Sequence, residues 1–375
     1  MPVNFLITRL QNIGDALVFV PAARALRQSF PNANITLLAK HAGGVEVMKN
    51  CPYIDEMIIV NNRSLSEKIR LIKEFRKRKI DYFIISPQDL GRVPWALLGG
   101  AKNIAGFSTV SNHGKITSEK LPSKLHIHPV YDSSRTEIEN CLRLVEDVID
   151  DINTNLIPSA QAARDEFIPI SKKLEFWYTK NELKSANDLL RKYGITENEK
   201  FIISAPYSKR EAKNWPDERY VQIFNSMIDK FNAKIILIGG KTEKLKNDSL
   251  SNLIGDNCLS LSGETSLGEC AVIMEKASLF FGPDSGPAFI ATAMNTPAVV
   301  LYSAADYYRW RVPESSVPRI ELFHPFPCNP CKYQICPKEK KCVDSISVHE
   351  AWQACQNAYQ KSPCPLACFS LFWYI

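Results

Sequence analysis

Short apolar runs alternate along this chain with longer stretches whose apolar positions recur three and four residues apart. Residues 3–8 (VNFLIT), 35–39, 56–60, 81–86 and 104–107 read as strands buried on both faces, with helices at 16–30 and 64–79 between them. Pro21 either marks the first turn of its helix or kinks it, and Gly43-Gly44 reads as a turn before a short helix. Residues 108–129, rich in Ser, His, Lys and Pro, read as a long loop, and 133–151 as a helix. Residues 153–174 hold Pro158 and Pro169 with little periodicity and read as a linker. The alternation then resumes, with strands at 201–205, 234–238, 258–261, 279–281 and 298–302. Helices are expected at 180–192, 216–231, 243–253, 267–276, 288–294 and, last, 349–360. The pattern predicts an α/β chain of two doubly wound, Rossmann-like halves: residues 1–165, residues 166–325, and a Cys-rich tail with a helix over 326–375.

Composition narrows the function classes. The chain has 375 residues, 45% hydrophobic and 23% charged, ordinary for a globular protein of two domains. No apolar run reaches the roughly 20 residues of a membrane-spanning helix. Residues 1–10 carry no basic start or cleavage site of a signal peptide, so a cytoplasmic protein is expected. The net charge of +6 is mild for a nucleic-acid binder and keeps phosphate-bearing partners in play; no nucleic acid is expected.

Candidate chemistry lies where strands end. In residues 279–302 a strand, a tight turn, a helix and a strand form one βαβ unit, and its turn holds Asp284, Ser285 and Gly286 at a helix N-terminus, where an anion is favoured. The plainer reading is an acid and a hydroxyl that only cap the helix. The loop after strand 201–205 (SAPYSKREAKNW) brings Ser208, Lys209, Arg210 and Lys213, cations that match a diphosphate or simply face water. In the first half, Asp15 precedes a helix as either a general base or an N-cap, and no G-x-G-x-x-G dinucleotide fingerprint accompanies it.

Two further clusters stand apart. The basic helix region includes Arg63, Arg70 and Lys73, which either meet an anionic glycolipid or membrane surface or form a solvated face balanced by Glu67 and Glu74. Of eleven cysteines, Cys51, Cys141, Cys258 and Cys270 are scattered and the other seven follow residue 327. Cys328, Cys331, Cys336 and Cys342 have the spacing of a structural zinc or iron site, with Cys355, Cys364 or Cys368 as alternative ligands. Unligated thiols are the other reading. His126 and His128, in the long loop, are placed to touch an acceptor.

The chain resembles glycosyltransferase family 9, the ADP-heptose:lipopolysaccharide heptosyltransferases. The likeness rests on Ile7 through Asp15 with Pro21, Ala22 and Leu26, on Lys213-Asn214-Trp215-Pro216, on Asp284-Ser285-Gly286-Pro287 with Ala291, Ala293 and Pro297, and on Cys328-Asn329-Pro330-Cys331. It covers most of the chain. One position departs: Phe289 stands where the family usually has His. The resemblance implies a GT-B fold, two Rossmann-like domains facing across a cleft, the first for the acceptor and the second for the nucleotide sugar. It implies inverting transfer of heptose from ADP-heptose to a lipopolysaccharide core acceptor, with Asp15 as general base and no catalytic metal. Ser208, Lys213, Asp284, Ser285 and Gly286 would hold the donor; outside the family motifs, the basic helix region offers Arg63, Arg70 and Lys73 for the acceptor. Peripheral contact with the inner face of the cytoplasmic membrane would follow. The alternatives are a relative that uses another nucleotide sugar or a protein acceptor, and a nucleotide-sugar binder without turnover.

Overall fold

A computed structural model of the chain describes residues 2–8, 12–40, 42–62, 64–87, 92–112, 115–118, 122–156, 170–196, 199–331, 333–338 and 341–360. These form two compact units. Unit 1 is Met1–Leu174 with Tyr308–Glu314, and unit 2 is Glu175–Tyr307 with Ser315–Ile375.

Unit 1 runs β1 (Asn4–Thr8), α1 (Ile13–Leu17), α2 (Val20–Ser29), β2 (Asn34–Ala39), α3 (Ala42–Met48), β3 (Glu56–Ile59), α4 (Leu65–Arg78), β4 (Tyr82–Ile85), α5 (Val93–Leu98) and β5 (Asn103–Gly106). The five strands form a parallel sheet in the order β3-β2-β1-β4-β5. The near-continuous apolar strands are covered by helices on both faces, as a parallel sheet requires. Pro21 lies in the first turn of α2, where its missing N–H costs nothing, and the short α1 is a separate helix before it. Gly43 and Gly44 are inside α3 rather than in a turn. A Cβ on Gly43 would sit 2.8 Å from Ile13 Cγ1, so the glycine lets α3 lie against α1. Within the stretch expected to be loop, β6 (Thr109–Asn112) and β7 (Lys115–Ser118) pair as an antiparallel hairpin. Helix α6 (Glu137–Leu156) follows.

Unit 2 runs α7 (Lys180–Lys192), β8 (Phe201–Ser204), α8 (Asp217–Phe231), β9 (Lys234–Leu237), α9 (Lys244–Ile254), β10 (Cys258–Ser260), α10 (Leu267–Lys276), β11 (Leu279–Pro283), α11 (Gly286–Ala293), β12 (Ala298–Tyr302), α12 (Tyr307–Trp310), β13 (Arg319–Phe323), α13 (Lys341–Asp344) and α14 (Val348–Gln360). Its parallel sheet has the order β10-β9-β8-β11-β12-β13. The chain returns to unit 1 through residues 308–314, part of α12 included. Arg309 Nε reaches Glu137 Oε2 at 2.9 Å inside unit 1, and Tyr131 Oη donates to the same oxygen at 2.8 Å. Glu137 is fully buried, so its charge depends on these partners. Helix α14 packs on the unit 2 core, where Ala351, Ala354, Cys355 and Ala358 join Phe224 and Phe281. Among the described residues no helix is long and apolar enough to cross a membrane.

Candidate active site

Each sheet reverses its strand order once, between β1 and β4 in unit 1 and between β8 and β11 in unit 2. Loops leaving the carboxyl ends of strands at such a switch point splay apart and leave room for a ligand. All the strand-end candidates read from the sequence lie on loops or helix starts that follow β1, β8 or β11.

In unit 1, Asp15 is the third residue of α1, and its Oδ2 accepts the Asn12 N–H at 3.1 Å. The carboxylate closes its helix start as a cap does and is only half-buried. Arg63 lies outside the described residues. Arg70 is committed within α4: its guanidinium holds both Glu67 oxygens at 2.8 Å and the Ile59 carbonyl at 2.9 Å. That bidentate grip, with the Asn61 N–H, pulls the Glu67 pKa down to about 2. Lys73 is exposed. His126 Nδ1 accepts the Ile104 N–H at 3.0 Å and so serves the fold.

In unit 2 the loop after β8 turns back through a single helical turn at Glu211–Lys213. Ser208 supports this loop: its N–H donates to Asn214 Oδ1 at 2.8 Å, and its hydroxyl accepts the Arg210 N–H at 3.0 Å. Trp215 anchors the loop's far end. It is buried edge-on against Tyr220 and Phe281, and its indole N–H donates to the Ile346 carbonyl at 3.1 Å. The loop thereby directs Lys213 across to the turn after β11. There Nζ donates to Asp284 Oδ2 at 2.5 Å and to the Asp284 carbonyl at 2.8 Å. The Asp284 side chain is only 3% exposed, so its charge is sustained by that ammonium.

The turn is incompletely satisfied. Ser285 is the N-cap of α11, yet its hydroxyl makes no cap bond and is buried without a partner among the described residues. The Ser204 hydroxyl, at the end of neighbouring β8, is likewise buried and unpartnered. Buried polar atoms are nearly always hydrogen-bonded, so the orphaned Ser285 hydroxyl next to the Asp284 ion pair leaves that turn able to take a polar ligand. Gly286 and Pro287 open α11; Pro287 carries no N–H and the Ala288 N–H already donates to the Ser285 carbonyl at 3.1 Å, so what the helix start offers an anion is chiefly its dipole. Phe289 is buried in that helix.

Two supports were not legible in the sequence. Arg319 on β13 holds α11 in place, donating to Thr292 Oγ1 at 2.5 Å and to the Ala288 carbonyl at 3.3 Å, while Glu321 accepts from its Nε at 2.9 Å. The Cys-rich segment braces the Lys213 loop. Arg210 donates to the carbonyls of Cys331 and Tyr333, and the Ala212 N–H reaches the Gln334 carbonyl at 2.9 Å. Arg219 ties the following helix to the Asp344 and Ile346 carbonyls at 2.6 and 2.7 Å.

Cys331 and Cys342 are buried around Ala304, with Cys328 packed against them; Cys336 is half-buried nearby. Burial, with the neighbouring Cys328 and Cys336, pushes the Cys342 thiol up. Among the described residues no three His, Cys, Asp or Glu side chains form a group able to hold a metal ion. Cys364 and Cys368 lie outside those residues.

Two parallel-sheet α/β units with polar loops at their switch points are the fold of GT-B glycosyltransferases, and comparison with known proteins bears this out. Over 96% of this chain and 98% of its own, a family 9 glycosyl transferase from Veillonella parvula superposes with a TM-score of 0.79 at 18% identity. The E. coli ADP-heptose lps heptosyltransferase II superposes with a TM-score of 0.72 at 17% identity, over 96% and 99%. In sequence, the lipopolysaccharide heptosyltransferase 3 of Escherichia coli is 25% identical across 80% of this chain and 83% of its own. The family model for glycosyltransferase family 9 (heptosyltransferase) matches residues 137–342, more than half of the chain. The chain belongs to glycosyltransferase family 9.

Proposed function

We propose that this glycosyltransferase moves a heptose from ADP-heptose to a lipopolysaccharide core acceptor, with inversion at the anomeric carbon. The donor's diphosphate would rest at the α11 N-terminus, with Lys213, the Asp284–Gly286 turn and, through its loop, Ser208 around it. The observation that carries this is the Lys213–Asp284 pair next to the buried, unpartnered Ser285 hydroxyl. Asp15 acts as general base: its carboxylate takes the acceptor hydroxyl proton as that oxygen attacks the anomeric carbon. The bond from that carbon to the diphosphate oxygen breaks, and ADP leaves with the electron pair. Lys213 and the helix N-terminus offset the charge that builds on the leaving group. Lys73, with Arg63 and Arg70, would meet acceptor phosphates. The names of the relatives support the donor and acceptor classes.

A donor screen by mass spectrometry against truncated lipopolysaccharide acceptors tests the reading. Transfer from ADP-heptose is expected, and failure with every nucleotide sugar would sink it. Phe289, which cannot donate the hydrogen bond of the family's usual His, favours a second reading with a different nucleotide sugar, and the same screen separates the two. A cytoplasmic site of action at the inner face of the membrane follows from such an acceptor.

A structural zinc or iron in the tail is a separable part of the proposal. Four thiols are a suitable donor set, and Cys328, Cys331 and Cys342 share one cluster, but as described they do not converge as ligands. Metal content of the purified protein by mass spectrometry decides it: about one equivalent lost in Cys331→Ser supports the site, and none in the wild type refutes it.

A further inference from the structure

We infer that the outer face of α4, with the end of α5, is a docking surface for an anionic lipid bilayer. The inner face of α4 buries Leu71 and Phe75 against the unit 1 core. A helix with one such face normally turns polar residues outward. Here Leu65 is 72% exposed and Ile69, one turn on, 46% exposed, with half-buried Ile72 continuing the stripe. Arg76 Nε donates to the Leu98 carbonyl at 2.8 Å, which brings the end of α5 alongside, where Leu98 is 51% exposed and Leu97 stands out beside it. Exposed apolar side chains gathered on one ridge mark an interaction surface.

The charge around the ridge names the partner. The acids of α4 are consumed locally, Glu67 by Arg70 and Glu74 by Arg78. Lys68, Lys73 and Lys77 are exposed and make no ion pair among the described residues. A second copy of the chain docking symmetrically would bring these lysines against their equals, which repels. An anionic bilayer satisfies both features, with lysines at the phosphates and Leu and Ile in the headgroup–acyl boundary. The inference does not depend on the identity of the sugar donor.

Flotation of the full chain with vesicles tests it, using phosphatidylcholine alone and phosphatidylcholine mixed with phosphatidylglycerol. Binding is expected only to the mixed vesicles and should weaken with salt. Leu65→Ser with Ile69→Ser should cut partitioning about tenfold or more, and Lys68→Gln with Lys77→Gln about tenfold. Leu253→Ser, an equally exposed leucine of unit 2, should change nothing, and unaltered melting temperatures would certify every fold. Equal binding to neutral vesicles, or indifference to both double substitutions, overturns the inference. So does a wild-type dimer in solution that falls to monomer in the Leu65/Ile69 variant.

Discussion

The βα junctions that follow β1 and β11 both adjoin a switch point, on opposite sides of it, and each presents an aspartate. They are built differently. Asp15 closes its own helix start, its Oδ2 accepting the Asn12 N–H, and stays half-buried. Asp284 is withdrawn from water and relies on a lysine from another loop, with the unpartnered Ser285 hydroxyl next to it. A carboxylate held locally and left accessible can exchange a proton with a ligand. One locked to an ammonium in a buried setting instead organises fixed charge. The contrast fits the proposed roles, proton transfer at the first turn and anion binding at the second.

The largest expected effect comes from Asp15→Asn. The amide oxygen can still accept the Asn12 N–H, so the melting temperature should barely move, while sugar transfer falls about 10²- to 10⁴-fold. A folded variant with wild-type turnover in a single-turnover assay would break the assignment. Next, Lys213→Met strands the Asp284 carboxylate and should lower unfolding free energy by about 3 kcal/mol in urea melts. Lys213→Met with Asp284→Asn should recover much of that stability without recovering donor affinity. If both return together, the pair is structural only. Arg210→Ala releases the Cys331 and Tyr333 carbonyls and loosens the Lys213 loop. Donor KM should rise about three- to tenfold with kcat within about twofold, because the loss is uniform binding rather than transition-state contact.

The smallest effect concerns a local carboxylate like that of the first turn, Glu67. Its folded pKa of about 2 lies below its ordinary 4.5, since Arg70 and the Asn61 N–H favour the ionised form. The stability it contributes is therefore present above pH 4.5 and is lost as the pH falls toward 2. Glu67→Gln should flatten that part of the melting-temperature profile against pH; an identical slope would remove Glu67 from the account.

Most sheet strands were legible because their residues are apolar on both faces. Strand β13 (RIELF) was not: its Arg319 and Glu321 look like a solvated stretch, yet they pair with each other at the sheet edge while Arg319 reaches α11. Helix α5, short and carrying Pro94, and the β6–β7 hairpin escaped for want of periodicity. At the candidate site, Lys213 and Asp284 were both visible as residue types, but their bond joins loops after two different strands and follows only from the adjacency of β8 and β11. The bracing of the Lys213 loop by the Cys-rich segment runs through backbone carbonyls, acceptors that every residue carries, so no sequence pattern announces it. The basic helix was legible in charge, but which of its cations are already paired was not.

If the Lys213–Asp284 turn receives the diphosphate of a nucleotide sugar, as proposed, ADP binding depends on that pair. Isothermal titration of ADP into the wild type and the Lys213→Met/Asp284→Asn variant tests it most directly. Saturable 1:1 binding that weakens about thirtyfold or more in the variant, roughly 2 kcal/mol for a lost charge-assisted contact, is the predicted result. Equal affinity in the two proteins would contradict it.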